Sequence, residues 1–293
     1  MKPTSIIFLI ISVLLIIAGF ITVGVAGHMG ASEGIVLNDS AEDATEIYEY
    51  EKDNIGKIIV NVEDADINII GGAAKSYVEL INFFDGTYDL TSTNRVLTVR
   101  DSIDMTDIEG VASLAMNFKG LRGVVNYMKS RGLEKTVNIY LTDAYPINVA
   151  NCTIGTGNVT VKSNKNPTDY IMNIGTGTAE LTDVYTTSKL ETVIGEGGVT
   201  LDNCQVSHLV CDIEKGYMKA TAKLFRVDAD IAMGDFTYKC TEGLGVTGYN
   251  LVCQSGHVIF NGTERGGILN EENPTTDNLI AVTVGAGDIV ISE

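Results

Sequence analysis

The residues best suited to chemistry are four carboxylates, Glu191, Asp212, Asp228 and Asp230. Asp212 and Asp230 each stand four residues before a recurring glycine, Gly216 and Gly234. In strands stacked on that glycine register the two carboxylates are neighbours about one strand spacing apart, ~4.8 Å. Glu191 and Asp228 fall in the next outward column. Like charges this close repel, so the column is sustained either by full hydration or by a shared cation. Hard carboxylate oxygens suit Ca²⁺, the only metal these residues suggest. The same groups are the only candidates for acid–base work on a polysaccharide, which needs two carboxyls in unlike environments. No other cofactor is signalled.

Other motifs offer less. Residues 243–248 read Gly-Leu-Gly-Val-Thr-Gly, but a dinucleotide fingerprint needs a strand before it and a helix after it, and here Tyr249, Leu251 and Cys253 alternate as a strand instead. The three histidines, His28, His208 and His257, are too scattered for a histidine metal site or a catalytic triad. The five cysteines, at 152, 204, 211, 240 and 253, form no CxxC pair and are odd in number. They read as small buried hydrophobes.

The elements that would position the carboxylates come from a repeat. The form apolar-x-x-Gly-x-apolar-x-apolar occurs seven times after Thr136, on Gly157, Gly177, Gly197, Gly216, Gly234, Gly256 and Gly287. Successive glycines lie 20, 20, 19, 18, 22 and 31 residues apart. Such a period predicts a mainly β chain whose residues 144–293 form a parallel β-solenoid, or β-helix, of about seven ~20-residue coils. Each glycine would mark a corner where two strands meet and a side chain would obstruct the turn, and the alternating apolar positions would fill the interior. In that register Cys152 and Cys211 share one inward column three coils apart, about 14 Å, too far for a disulfide.

Upstream, Ile58, Val60 and Val62, then Ile67 and Ile69, alternate as strands, and residues 51–143 read as a β-rich segment preceding the solenoid. Residues 104–131 break the pattern: Ile108, Val111, Phe118, Leu121 and Met128 recur at helical spacing, which predicts a helical insertion packed on the sheet. Residues 28–50 are acidic and small, a solvated linker. From Ser5 to Ala26 there is no charge, and Ile6 to Val25 is long enough to cross a ~30 Å hydrocarbon layer. Residues 1–27 are therefore expected to be a transmembrane helix, as signal anchor or as signal peptide. Lys2 precedes the stretch and the acidic Glu33, Asp39, Glu42 and Asp43 follow it, which places the C-terminal bulk outside the cytoplasm. A formal net charge of −18, from 38 acidic and 20 basic residues, excludes a nucleic-acid partner, since nothing offsets phosphate repulsion.

Three runs, KIIVNVEDADINII at 57–70, TVNIYLTDAYPINV at 136–149 and LETVIGEGGVTLDN at 190–203, resemble the bacterial putative-adhesin family of cell-surface, glycine-marked β-repeat domains. The resemblance covers roughly residues 55–293. It implies a cell-envelope location and a binding or sensing role. The expectation is a single-pass, membrane-anchored, extracytoplasmic module for interaction, adhesion or scaffolding, without catalysis, meeting envelope proteins or glycans. The alternatives are an envelope-stress sensor acting through membrane partners, and a polysaccharide-processing β-helix enzyme.

Overall fold

The structure is a computed structural model that describes residues 45–49, 55–84, 87–101, 132–143, 146–165, 168–241, 247–271 and 278–293. These lie in one compact unit, Asp43–Glu293. The strands are β1 (Thr45–Glu49), β2 (Lys57–Asp64), β3 (Asp66–Ile70), β4 (Tyr77–Ile81), β5 (Tyr88–Thr93), β6 (Val96–Asp101), β7 (Thr136–Tyr140), β8 (Val149–Thr156) and β9 (Val159–Lys162). After them come β10 (Asp169–Thr182), β11 (Tyr185–Cys240), β12 (Gly248–Ser255), β13 (Val258–Phe260), β14 (Thr263–Glu264), β15 (Ile268–Glu271), β16 (Leu279–Ala286) and β17 (Ile289–Ser292).

All of them join one 17-stranded sheet, built in tiers of two strand segments meeting at a corner. Neighbouring tiers pair parallel and in register: Met172 of β10 lies between Cys152 of β8 and Thr192 of β11, and Leu181 lies between Val161 and Leu201. Because strand side chains alternate, this register sends every second residue inward on both arms of a tier. Rows such as Ile154, Ile174, Ile194 and Ile213, and Val161, Leu181, Leu201 and Ala220, are accordingly 0–3% exposed and form one continuous core.

The corner glycines carry φ between +136° and +151° at 157, 177, 197, 216, 234, 256 and 287. That conformation is nearly closed to L-residues. A Cβ on Gly216 would also strike the carbonyl oxygen of Gly197, so the corner column has no room for a side chain. A second turn is made by Ser163, Asp183 and Asn203 at φ +50° to +55°, the left-handed region that Asn and Asp tolerate best.

The chain is not the expected parallel β-solenoid of about seven coils preceded by a separate β-rich segment. Residues 57–70 have the same alternation as the repeats, so β2 hydrogen-bonds directly to β8 and β3 to β9, and both regions share one sheet. The order of stacking also departs from the order of sequence. β16 and β17 pair on one side with the last stretch of β11 and on the other with β12 and β13, so the seventh repeat sits between the fifth and the sixth. Both ends are closed by antiparallel strands: β4 on β7, β1 on β4 and β5 on β6 at one end, β15 on β12 and β14 on β13 at the other. Parallel stacking thus ends in hairpin-like edges that a winding coil does not have.

No helix occurs among the described residues, and none there is long and apolar enough to cross a membrane. The expected transmembrane helix at 1–27 and the expected helical insertion at 104–131 lie outside the described residues. The insertion falls between β6 and β7, which pair side by side with β2 and β3 as the two arms of another tier.

Candidate functional site

The outward face around the carboxylates is assembled from three different stretches of chain. In the register of β11 with β16, Asp228 lies beside Ala281 and Asp230 beside Thr283, and β12 adds Asn250 on the far side of Ala281. Asp212, Asp228 and Asp230 line one shallow depression of about 330 Å³ with Val210, Asn250 and Thr283. The carboxylate proximity expected from the glycine register is therefore present for these three. Glu191 does not line the depression.

The electrostatics differ from a bare acidic column. Glu191 is held by the Lys189 ammonium at 2.6 Å. Asp228 Oδ2 accepts from Arg226 Nε at 3.0 Å and meets His208 Nε2 at 2.8 Å. Partial burial pushes the Asp228 pKa up, but the hydrogen bonds from Arg226 and His208 outweigh it and hold the carboxyl below its ordinary value. Two of the four candidate ligands are thus already matched by protein cations. Asp212 and Asp230 are exposed, and among the described residues neither has an ion-pair partner within 4.0 Å. No group of three His, Cys, Asp or Glu among the described residues converges as a metal centre. Two carboxylates and neutral neighbours fall short of the six to eight oxygens Ca²⁺ takes.

The matching cations were legible but unread. Lys189 and Arg226 stand two residues before Glu191 and Asp228, a spacing that puts each pair on the same face of its strand. His208 could be assigned only once its tier was placed. Asn250 and Thr283 were hidden by the intercalation of β16, which sequence order does not indicate.

Two further surface features accompany the tiers. Beside the glycine corner, side chains bond backbone N–H groups of the next tier. Asp66 Oδ1 accepts from Asn158 N at 2.8 Å and Asn158 Oδ1 from Thr178 N at 3.0 Å. Asp235 Oδ1 likewise accepts from Asp288 N at 2.8 Å, and Asp288 Oδ1 from His257 N at 2.9 Å. At the second turn, Asp143, Ser163, Lys165, Asp183, Tyr185 and Asn203 border an open hollow of about 440 Å³. There Asn203 donates to Asp183 at 2.6 Å.

The cysteines are where the register puts them. Cys152 and Cys211 are buried free thiols separated by the tiers of Met172 and Thr192. Burial pushes both up to about 12.

No family model matches this chain, and neither does any curated protein. Solved structures do. One, from Parabacteroides distasonis, is named a "putative lipid binding protein": 12% identity, 86% of this chain and 98% of that one covered, TM-score 0.41. A "putative adhesin" from Bacteroides fragilis has 11% identity, 86% and 98% coverage and a TM-score of 0.37. A "putative cell adhesion protein" from Clostridium sporogenes has 16% identity, 86% and 99% coverage and a TM-score of 0.34. Proteins bearing the name of the family that the sequence resembles are thus among the structures similar to this chain. At these values the similarity carries no statement about ligand or activity.

Proposed function

We propose that this chain is an exported cell-envelope protein, tethered by its apolar N-terminal segment, that acts as a non-catalytic interaction, adhesion or scaffold module. The observation that carries the reading is the repetition of outward polar rows along the sheet. Side chains such as Thr160, Glu180 and Thr200, Lys162, Thr182 and Asp202, or Asn158 and Thr178, stand at the same place in successive tiers. Rows spaced at about 4.8 Å present a long, regular polar face. Such a face fits an extended partner contacted at many weak points, through accumulated contacts rather than through one deep pocket. The net charge of −18 favours cationic or neutral partners, among them envelope proteins and neutral glycans.

Affinity capture tests this reading. The purified protein is immobilised and exposed to cell-wall polysaccharide and to solubilised membrane proteins at low and at high salt. The expected result is specific retention of an envelope component without its chemical alteration. Release of shortened glycan from the column, or retention of nothing from either fraction, overturns it.

A further inference from the structure

The intercalated seventh repeat has a consequence that a sequential stack would not. Among the described residues, β12 and β13 pair in parallel only with β16 and β17, and their other edges carry β15 and β14. Residues 248–271 are therefore joined to the rest of the sheet through the last strands of the chain. Those strands fill a slot with two hydrogen-bonding edges, the 226–239 stretch of β11 below and β12 with β13 above. Their inward side chains, Ile280, Val282, Val284, Ile289 and Ile291, are at most 2% exposed. Asp288 fastens the corner on both sides, its N–H donating to Asp235 and its carboxylate accepting from the His257 N–H.

We propose that residues 279–292 are an exchangeable strand pair, through which two copies of this chain link by each placing its C-terminal repeat in the other's slot. The occupant is fixed by the slot itself. It takes a parallel strand, a corner glycine with φ near +138°, as at Gly287, and a second strand, with five apolar side chains in that alternation. A second copy supplies that segment residue for residue. The segment is joined to Glu271 by seven residues, 272–278, which reach about 24 Å when extended. The distance they must bridge within one molecule is only about two strand spacings, because Glu271 pairs with Tyr249 on one side of β12 and Leu279 with Gly248 on the other. The surplus length lets the segment reach a neighbouring molecule. An exchanged pair makes the same contacts as the closed monomer, which is why swapping of an identical element between protomers is a low-cost route to association. The inference concerns the C-terminal slot alone and does not depend on the function proposed above.

Disulfide trapping in the full-length chain, kept soluble by detergent, tests it. Asp230 and Thr283 are register partners across β11 and β16, at a separation a disulfide accepts. One preparation carries Asp230→Cys and another Thr283→Cys. They are mixed, incubated at high protein concentration with a low dose of urea, diluted and oxidised. The expected product is a covalent dimer whose peptide map joins position 230 of one chain to position 283 of the other. Mixing Asp230→Cys with Thr263→Cys, an exposed position outside the slot, gives no such product. The double variant Asp230→Cys/Thr283→Cys is the internal standard and crosslinks within one chain. If the double variant crosslinks while mixed single variants never do, exchange is refuted. If the double variant fails to crosslink, the slot itself is refuted. Equal crosslinking to positions 263 and 283 shows mere collision and also overturns the proposal.

Discussion

Replacing Gly216 by alanine tests the corner column directly, because the structure assigns the cost to two separable causes. The first is conformational: Gly216 has φ +151°, where an L-residue is strained by about 1–3 kcal/mol. The second is steric, since the new Cβ would strike the Gly197 carbonyl oxygen, a backbone atom of the neighbouring tier. Forcing extra volume into a packed site costs about 1–3 kcal/mol, so the total is about 2–6 kcal/mol. That is a large fraction of the ~5–15 kcal/mol that holds a typical domain together. Gly72 supplies the control. Its φ is +70°, but a Cβ there would meet nothing within 4 Å, so Gly72→Ala carries strain alone, about 1–2 kcal/mol. The assay is urea unfolding followed by far-UV circular dichroism on the unit from residue 43 onward, comparing midpoints at constant slope. Gly216→Ala should unfold at clearly lower urea than Gly72→Ala. Equal midpoints would refute the reasoning, because tier contact at the corner would then contribute nothing.

Four further outcomes are expected. Asp228 has a folded pKa below its ordinary value of 3.8, so the stability its partners confer is present above that value and is lost as pH falls through the lower folded one. Asp228→Asn should therefore lower the thermal midpoint at neutral pH and match the wild type in strong acid; a constant difference across pH would contradict this. Cys152 and Cys211, pushed up to about 12 by burial, should resist iodoacetamide in the native protein near pH 8 and react fully in urea, and a Cys152–Cys211 disulfide in oxidised protein would break the register. In the acidic depression, Asp230→Asn should raise the midpoint slightly by relieving repulsion from Asp212, by up to about 1 kcal/mol. Because Lys189 and Arg226 already match the other two carboxylates, millimolar CaCl₂ should stabilise no more than NaCl at equal ionic strength. A Ca²⁺-specific shift abolished by Asp230→Asn would instead establish a cation site.

The sequence by itself determined the local rules. The recurring glycine marks each corner where the backbone turns, and the alternation around Ile154, Ile174 and Ile194 follows from the two-residue strand period; both are read along one stretch of chain. The same rules placed Cys152 and Cys211 in one column and brought Asp212 and Asp230 to one face. The tertiary structure decided which tiers touch. Nothing in the residues of 279–292 marks them as belonging between β11 and β12, since every repeat offers the same backbone donors and acceptors and a similar apolar row. The sheet selects among such neighbours by the fit of side chains across tiers and by the lengths of the connections. Those choices made residues 57–70 the tier beneath the first repeat, brought Thr283 beside Asp230, and set His208 against Asp228. An interaction between tiers depends on which segment is adjacent, and adjacency is a property of the folded sheet rather than of any one repeat.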